Sequence, residues 1–322
     1  MTVTERPAVR FYDQHPALAS LREAVLEGLA ARPKTIPPKF FYDERGSRLF
    51  DAITELPEYY PTRTEIGLLE RHAGEIAALT GPRCLLVELG SGSSRKVRIL
   101  LEGLEPRAYV PLDISREHLR HSATTLAAEH PGLQVHAVCT DYSTLRQLPF
   151  NAAGCPKLLF FPGSSIGNMD PDEARAFLRR MGGLAGPDGS LLIGVDLKKD
   201  PALLHAAYND GQGVTAAFNR NLLVRINREL DAGFDLDAFR HRAFYNDEAG
   251  RVEMHLVSST AQQVAVDGAQ FAFAEGETIH TENSYKYAVD EFRSLAREAG
   301  LSPVHHWVDN RNLFSLHFLR TR

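Results

Sequence analysis

Short apolar runs alternate with amphipathic helical patterns between residues 84 and 195, and this alternation restricts the possible folds more than any other feature. The apolar runs cover 84–89, 108–112, 134–139, 158–161 and 190–195. The helical patterns between them cover 95–102, 116–129 and 172–184. Nearly continuous apolar strands separated by helices form parallel sheets that are covered on both faces. We therefore predict an α/β fold whose ligands bind beyond the carboxyl ends of the parallel strands.

The segments outside this core predict a second lobe. Further helical patterns lie at 18–31, 64–79 and 289–299, and strand-like runs at 251–258, 263–266, 303–308 and 313–319. The last two runs are joined by an Asp-Asn turn signal and predict a terminal hairpin. Two aromatic segments with prolines, 36–43 and 56–63, are expected to form ordered loops. We predict a core domain of 63–196 and 286–322, and a substrate-binding domain of 1–62 and 197–285.

Charge and hydropathy exclude several kinds of partner. The 322 residues carry a net charge of −5 and show no basic cluster of the kind that binds nucleic acid. No apolar run approaches the roughly 20 residues that cross a bilayer, and residues 1–11 lack the apolar core of a signal peptide. The cysteines and the histidines at 305, 306 and 317 show no metal-ligand spacing. We expect a cytoplasmic monomer that acts on a small molecule without a metal.

A glycine loop follows the first predicted strand of the core and reads ELGSG at 88–92. Its two glycines allow a tight turn and a close approach to a ligand, although a plain strand-to-helix turn would use them equally. The third glycine of a dinucleotide fingerprint is absent. An acidic residue before the glycines, here Glu88, is typical of S-adenosylmethionine sites. The Lys96 ammonium could pair with the carboxylate of that cofactor.

Acidic residues end the next two predicted strands. Asp113 could accept both hydroxyls of a ribose, in S-adenosylmethionine or in NAD, or it could cap the following helix. Asp141 is followed by Tyr142, a pair suited to an adenine amino group and its ring. The loop after the fourth strand ends in Asn168, whose amide could donate to a carboxylate or cap the next helix. The order of these loops favours S-adenosylmethionine.

Several longer segments resemble a known family. They read PPKFFYD at 37–43, LPEYYPTRTE at 56–65, ELGSG at 88–92, GSSIGN at 163–168, GVTAAFNRN at 213–221 and TENS at 281–284. In this order, and over nearly the whole chain, they are similar to the L-histidine Nα-methyltransferases of ergothioneine biosynthesis. The resemblance implies a Rossmann-like class I methyltransferase fold with a second, substrate-binding lobe. It also implies three successive methyl transfers that give the trimethylated betaine.

The resemblance implies a role for each matching position. Asn168 and Tyr208 would hold the histidine carboxylate, with Gly163 beside them, and Tyr42 would lie near the reacting amine as the catalytic residue. The imidazole would be bound by Tyr59, Glu282 and Ser284 and packed by Met254. The cofactor would be bound by Gly90, Lys96, Asp113, Asp141 and Tyr142.

The chemistry of Glu282 and Ser284 agrees with this role. Residues at i and i+2 of an extended chain point to the same side, so an acid and a hydroxyl can engage the two ring nitrogens of an imidazole together. A solvated strand face would show the same pattern. Alternatives that the residues leave open are a methyltransferase for another amine such as an indole-bearing amino acid, an NAD-dependent dehydrogenase, and a silent cofactor-binding module.

Overall fold

The computed structural model describes residues 9–14, 19–92, 95–152 and 154–322. The strands are β1 Val9–Asp13, β2 Lys34–Thr35, β3 Leu85–Leu89, β4 Ala108–Asp113, β5 Gln134–Cys139, β6 Lys157–Phe161, β7 Ser190–Asp196, β8 Phe239–Asn246, β9 Arg251–Ser258, β10 Gln262–Val266, β11 Ala269–Phe273, β12 Thr278–Tyr285, β13 Ser302–Val308 and β14 Phe314–Arg320. The α-helices are α1 Ala19–Ala30, α2 Glu44–Thr54, α3 Tyr60–Thr80, α4 Arg95–Leu104, α5 Arg116–Glu129, α6 Pro171–Ala185, α7 Pro201–Tyr208, α8 Val214–Glu229 and α9 Val289–Glu298.

The larger sheet has the strand order β1-β5-β4-β3-β6-β7-β14-β13. Strands β1 and β3 to β7 run parallel, and the terminal hairpin of β13 and β14 pairs antiparallel with β7. The predicted α/β fold is therefore confirmed. Successive residues of β3 face opposite layers: Leu86 packs with the cluster that contains residues of α3, α4 and α5, and Val87 with the cluster that contains residues of α6 and α9. The continuous apolar runs of the sequence reflect this burial on both faces.

The chain begins differently from the prediction. Val9–Asp13 adds a parallel strand beside β5, with Val9 opposite Val135, so these residues extend the large sheet and do not belong to a second lobe. Its alternating side chains explain the pairing, since Val9 and Phe11 pack on one face of the sheet and Tyr12 on the other. Leu18, the predicted first residue of the first helix, lies outside the described residues.

The second lobe contains a smaller sheet of order β2-β12-β9-β8. Its apolar face packs on α1, α2 and α8 through a cluster that includes Phe41, Phe218, Met254 and Ile279. Helix α2 was not predicted; Asp43 caps it by accepting a hydrogen bond of 2.7 Å from the Gly46 amide. Helix α3 begins at Tyr60 instead of residue 64, so the end of the predicted loop 56–63 is wrong. A proline at 61 is compatible with the first turn of a helix.

The two sheets meet where the site forms. Strand β12 lies against the short 3-10 helix Ser165–Asn168 that follows β6. A Cβ atom on Gly167 would lie 2.7 Å from the carbonyl oxygen of Tyr285, so this contact requires a glycine. The carboxyl ends of the parallel strands are thereby brought beside β12. Among the described residues, no helix combines the length and the apolar character needed to cross a membrane.

Candidate active site

One cavity lies between the carboxyl edge of the large sheet and the smaller sheet, with about 600 Å³ of space counted to its open mouth. All eight residues expected to bind substrate line it: Tyr42, Tyr59, Gly163, Asn168, Tyr208, Met254, Glu282 and Ser284. The sequence reasoning missed several other lining residues, among them Phe50, Asp196, Thr215, Phe218 and Lys286.

Different elements bring these side chains together. Tyr42 follows the 3-10 helix Pro38–Phe41, and Tyr59 directly precedes α3. Tyr208 is the last residue of α7. Met254 of β9 lies directly opposite Glu282 in the antiparallel pair of β9 and β12, so the thioether and the carboxylate are neighbours on one wall of the cavity.

Glu282 is the acidic side chain of this wall. It is 9% exposed, and its carboxylate has no hydrogen-bond partner among the described residues. Burial raises the pKa of Glu282 to about 7, although the nearby Lys286 ammonium opposes the shift. A buried carboxylate without a partner is costly. The cavity therefore favours a ligand that can share a proton with the Glu282 carboxylate.

Ser284 belongs to a buried polar network. Its Oγ atom accepts hydrogen bonds from the Tyr208 hydroxyl at 2.7 Å and from Lys286 Nζ at 2.8 Å. Lys286 also forms an ion pair of 2.8 Å with Asp196. Burial opposes ionisation of Asp196, but Lys286 and Lys199 together hold its pKa below the usual value. The network fixes the hydroxyl groups that face the cavity.

Asp196 ends β7, and the Tyr60 hydroxyl lies 2.9 Å from each of its carboxylate oxygens, which share the single hydroxyl hydrogen. Lys199 forms an ion pair of 2.5 Å with the same carboxylate, and burial lowers the pKa of Lys199 to about 8. The sequence offers one signal for Asp196, which is its position directly after the apolar run 190–195. Tyr60 and Lys199, its partners, have no such signal.

Aromatic rings form the opposite wall. Tyr42 makes edge contacts of 5.6 Å between ring centroids with Phe50 and with Phe218, and Phe50 meets Tyr59 at 6.3 Å. Burial raises the pKa of Tyr42 and of Tyr59 well above the ordinary value. Both therefore keep their hydroxyl hydrogens. Apolar surroundings of this kind disfavour an ammonium and favour a neutral amine.

The predicted cofactor residues lie along the loops after β3, β4 and β5. Gly90 adopts φ +75, and a Cβ atom placed on it would lie 3.5 Å from Cε1 of Tyr142. The Gly90 amide donates to the Leu112 carbonyl at 2.9 Å, which sets the glycine loop beside Asp113. Residues 93 and 94, between the glycine loop and the start of α4, lie outside the described residues.

The two aspartates are oriented by their own loops. Asp113 Oδ1 accepts from the Ser115 amide at 2.7 Å, and Asp141 Oδ1 accepts from the Ser143 amide at 2.9 Å. Burial raises the pKa of Asp113 to about 6. Two oriented carboxylates, a phenol ring and a positive-φ glycine fit a ribose and an adenine base. These residues could hold S-adenosylmethionine.

Lys96 joins the cofactor side to the cavity. Its Nζ atom forms an ion pair of 2.5 Å with Glu65, a residue of α3 that is fully buried. The Gly163 amide donates to the same carboxylate at 2.9 Å. Glu65 therefore ties the lysine of the glycine-loop helix to the loop that lines the cavity.

One cluster outside the cavity has donor atoms that could hold a metal ion. Ligand atoms of Glu253, His255 and His280 lie within 4.8 Å of one another. However, the Glu253 carboxylate is already paired with the Arg251 guanidinium at 2.8 Å and with His255 at 3.0 Å. A guanidinium beside the acid opposes a second cation.

Comparisons with known proteins cover most of the chain. The sequence profile of a family described as "Histidine-specific methyltransferase, SAM-dependent" matches residues 21–321. A histidine N-alpha-methyltransferase of Mycolicibacterium smegmatis is 45% identical over 93% of this chain and 94% of its own length. The ergothioneine biosynthesis protein 1 of Neurospora crassa is 33% identical over 89% of this chain and 33% of its own length.

A solved structure shares the fold alone. It is a possible exported protein from Bordetella parapertussis, 18% identical, with a TM-score of 0.50 over 92% of this chain and 86% of that one.

Proposed function

The chain belongs to the histidine-specific, S-adenosylmethionine-dependent methyltransferases, and we propose that it methylates the α-amino nitrogen of L-histidine. Membership of this family excludes the alternative of an NAD-dependent dehydrogenase. The observation that supports the substrate most is the unpartnered, buried Glu282 carboxylate beside the Ser284 hydroxyl in the cavity. An imidazole has two ring nitrogens, which can engage both groups at once. A site that must hydrogen-bond a polar ring rejects ligands without those atoms.

The remaining lining residues are suited to the amino-acid end of histidine. The Asn168 amide and the Tyr208 hydroxyl are donors that can hold a carboxylate, which only accepts. Tyr42 would then lie near the amine, between the cavity and the cofactor loops. Thr215 and Phe218 also line the cavity and would close the space around the side chain.

Methyl transfer from a sulfonium requires alignment more than covalent help. S-adenosylmethionine supplies an electrophilic methyl group, and the enzyme holds the amine lone pair in line with the methyl–sulfur bond. The amine must be neutral to attack, which the rings of Tyr42, Phe50 and Phe218 favour. We expect three successive transfers to give the trimethylated betaine, as a step toward ergothioneine.

A product assay tests this function. Purified protein is incubated with S-adenosylmethionine and either L-histidine or L-tryptophan, and the products are weighed by mass spectrometry. We expect mono-, di- and trimethylated histidine together with S-adenosylhomocysteine. Equal methylation of tryptophan would favour the alternative of another amine. Cofactor binding without any S-adenosylhomocysteine would favour the silent binding module.

A further inference from the structure

Lys286 lines the cavity, but none of the roles above uses it. It is 3% exposed. Burial alone would lower the pKa of Lys286, but Asp196 and Tyr208 raise it above the ordinary value, so the side chain stays an ammonium. An ammonium has three hydrogens and no lone pair. Lys286 can therefore act on its neighbours only as a donor.

The three hydrogens of Lys286 match three acceptors. Its Nζ atom lies 2.8 Å from Asp196 Oδ2, 2.8 Å from Ser284 Oγ and 3.2 Å from the Tyr208 hydroxyl oxygen. One lone pair of each hydroxyl is thus occupied. The network leaves Lys286 with no hydrogen to offer a ligand.

The two hydroxyls also bind each other. Their oxygens lie 2.7 Å apart, with Tyr208 donating to Ser284. Each hydroxyl has one hydrogen and two lone pairs, and its hydrogen can rotate. After the bonds from Lys286 and the bond between them are counted, the pair offers a ligand one hydrogen and one lone pair. These always lie on different oxygens.

This inference rests on the proposed function, in which Tyr208 meets the substrate carboxylate and Ser284 meets its ring. A carboxylate only accepts, so it takes the free hydrogen from Tyr208. Ser284 must then donate to Tyr208, and its remaining lone pair faces the ring. We propose that the hydrogen bond between Tyr208 and Ser284, which Lys286 holds in place, makes Ser284 an acceptor when a carboxylate is bound and thereby selects rings that present an N–H.

The consequence is a coupling between the two ends of the ligand. Without a carboxylate, Tyr208 keeps donating to Ser284, and the Ser284 hydrogen is free for a ring atom that accepts. The preference for an N–H should therefore depend on the carboxylate. Glu282 meets the same ring in both cases, so its contribution cancels in the comparison.

Four ligands test the coupling in the wild-type protein. They are L-histidine, β-(thiazol-4-yl)-L-alanine, histamine and 2-(thiazol-4-yl)ethylamine; a thiazole has an acceptor nitrogen but no N–H. Affinities are measured by calorimetry with the protein saturated with S-adenosylhomocysteine. We expect the preference for imidazole over thiazole to be about tenfold larger in the pair with the carboxylate, the cost of one mismatched buried hydrogen bond. Equal preferences in the two pairs would overturn the proposal.

A matched pair of variants assigns the coupling to the Tyr208 hydroxyl. In Tyr208→Phe, Ser284 has both a free hydrogen and a free lone pair, so it can donate or accept whether or not a carboxylate is bound, and the coupling should disappear. Lys198→Met is the control, because Lys198 is 43% exposed and pairs with Glu291 outside the cavity; it should keep the coupling. A Tyr208→Phe protein that retains the full coupling would overturn the assignment.

The wild-type comparison tests the coupling itself even if Tyr208→Phe does not fold. Wild-type protein that does not methylate histidine would refute the proposed function itself. Wild-type protein that methylates histidine without coupling would refute only the inferred coupling.

Discussion

The two halves of the site hold their acidic side chains in different ways. On the cofactor side, Asp113 and Asp141 each accept a hydrogen bond from a backbone amide two residues further along the chain. In the cavity, Glu282 has no hydrogen-bond partner among the described residues, and Ser284 is held by Tyr208, from a distant segment, and by Lys286. The two aspartates are oriented chiefly by their own loops, although Asp141 also pairs with Lys39 at 3.4 Å. The second pair depends on the assembled fold.

This difference separates general binding from specific binding. A carboxylate that is oriented locally, as Asp113 is, can accept the hydroxyls of any ribose and needs no particular methyl acceptor. A carboxylate that lines the cavity without a partner instead requires a ligand that satisfies it, because a polar group that a bound ligand covers and leaves unpaired is costly. The cavity half should therefore respond most strongly to mutation, and only toward the substrate.

The largest effect is expected for Glu282→Ala. Without the carboxylate, one ring nitrogen of histidine loses its charged partner, and histidine affinity should fall about 100-fold. Affinity for S-adenosylhomocysteine should change by less than about twofold, since Glu282 lies outside the cofactor loops. Calorimetric titration of both ligands measures the two effects. If Glu282→Ala bound histidine as tightly as wild type, the cavity half would not be the part of the site that selects the substrate.

A smaller effect is expected on stability, through the pKa of Glu282. Burial raises this pKa from 4.5 to about 7, so the folded state favours the protonated acid. The contribution of Glu282 to the free energy of unfolding should fall as the pH rises from 4.5 and level off above about 7. Glu282→Gln is neutral throughout and should gain about 2 kcal/mol relative to wild type between about pH 5 and about pH 8.

Urea unfolding of the ligand-free proteins at several pH values measures this gain. The difference between wild type and Glu282→Gln isolates the titration of Glu282. Other carboxyl groups with a raised pKa, such as Glu88, titrate in both proteins and cancel. A difference that does not vary with pH would mean that the acid is not held unpaired in the cavity.

A smaller effect still is expected for Asp113→Asn on the cofactor side. An amide in place of the carboxylate keeps the side-chain shape but accepts ribose hydroxyls less well, so affinity for S-adenosylhomocysteine should fall about tenfold. Histidine affinity at saturating S-adenosylhomocysteine should stay the same. If Asp113→Asn instead weakened histidine and spared the cofactor, the assignment of the two halves would be reversed.

The parallel core was predictable because burial on both faces leaves a direct trace in the sequence. The predicted run 134–139 and the helix 116–129 coincide with β5 and α5. Strand β1 was missed, since five residues of mixed polarity give no clear pattern. Helix α2 was missed because Leu49, Phe50 and Ile53 span little more than one turn.

The cavity was predictable only through the family resemblance. Its eight expected residues come from six separate segments, and no local pattern links Tyr42 to Tyr208 or Glu282. The lysines and acids of its polar network were not predicted. In a sequence, Glu65 and Lys286 suggest solvated positions; only their pairing with Lys96 and Asp196 in three dimensions explains their burial.

The most direct test is a crystal structure of the chain with S-adenosylhomocysteine and L-histidine bound together. The account predicts one ring nitrogen within about 3 Å of the Glu282 carboxylate, the other facing Ser284 Oγ, and the amine directed at the sulfur atom. An imidazole bound away from these two side chains, with the amine turned from the sulfur, would contradict the assignment of this cavity to histidine.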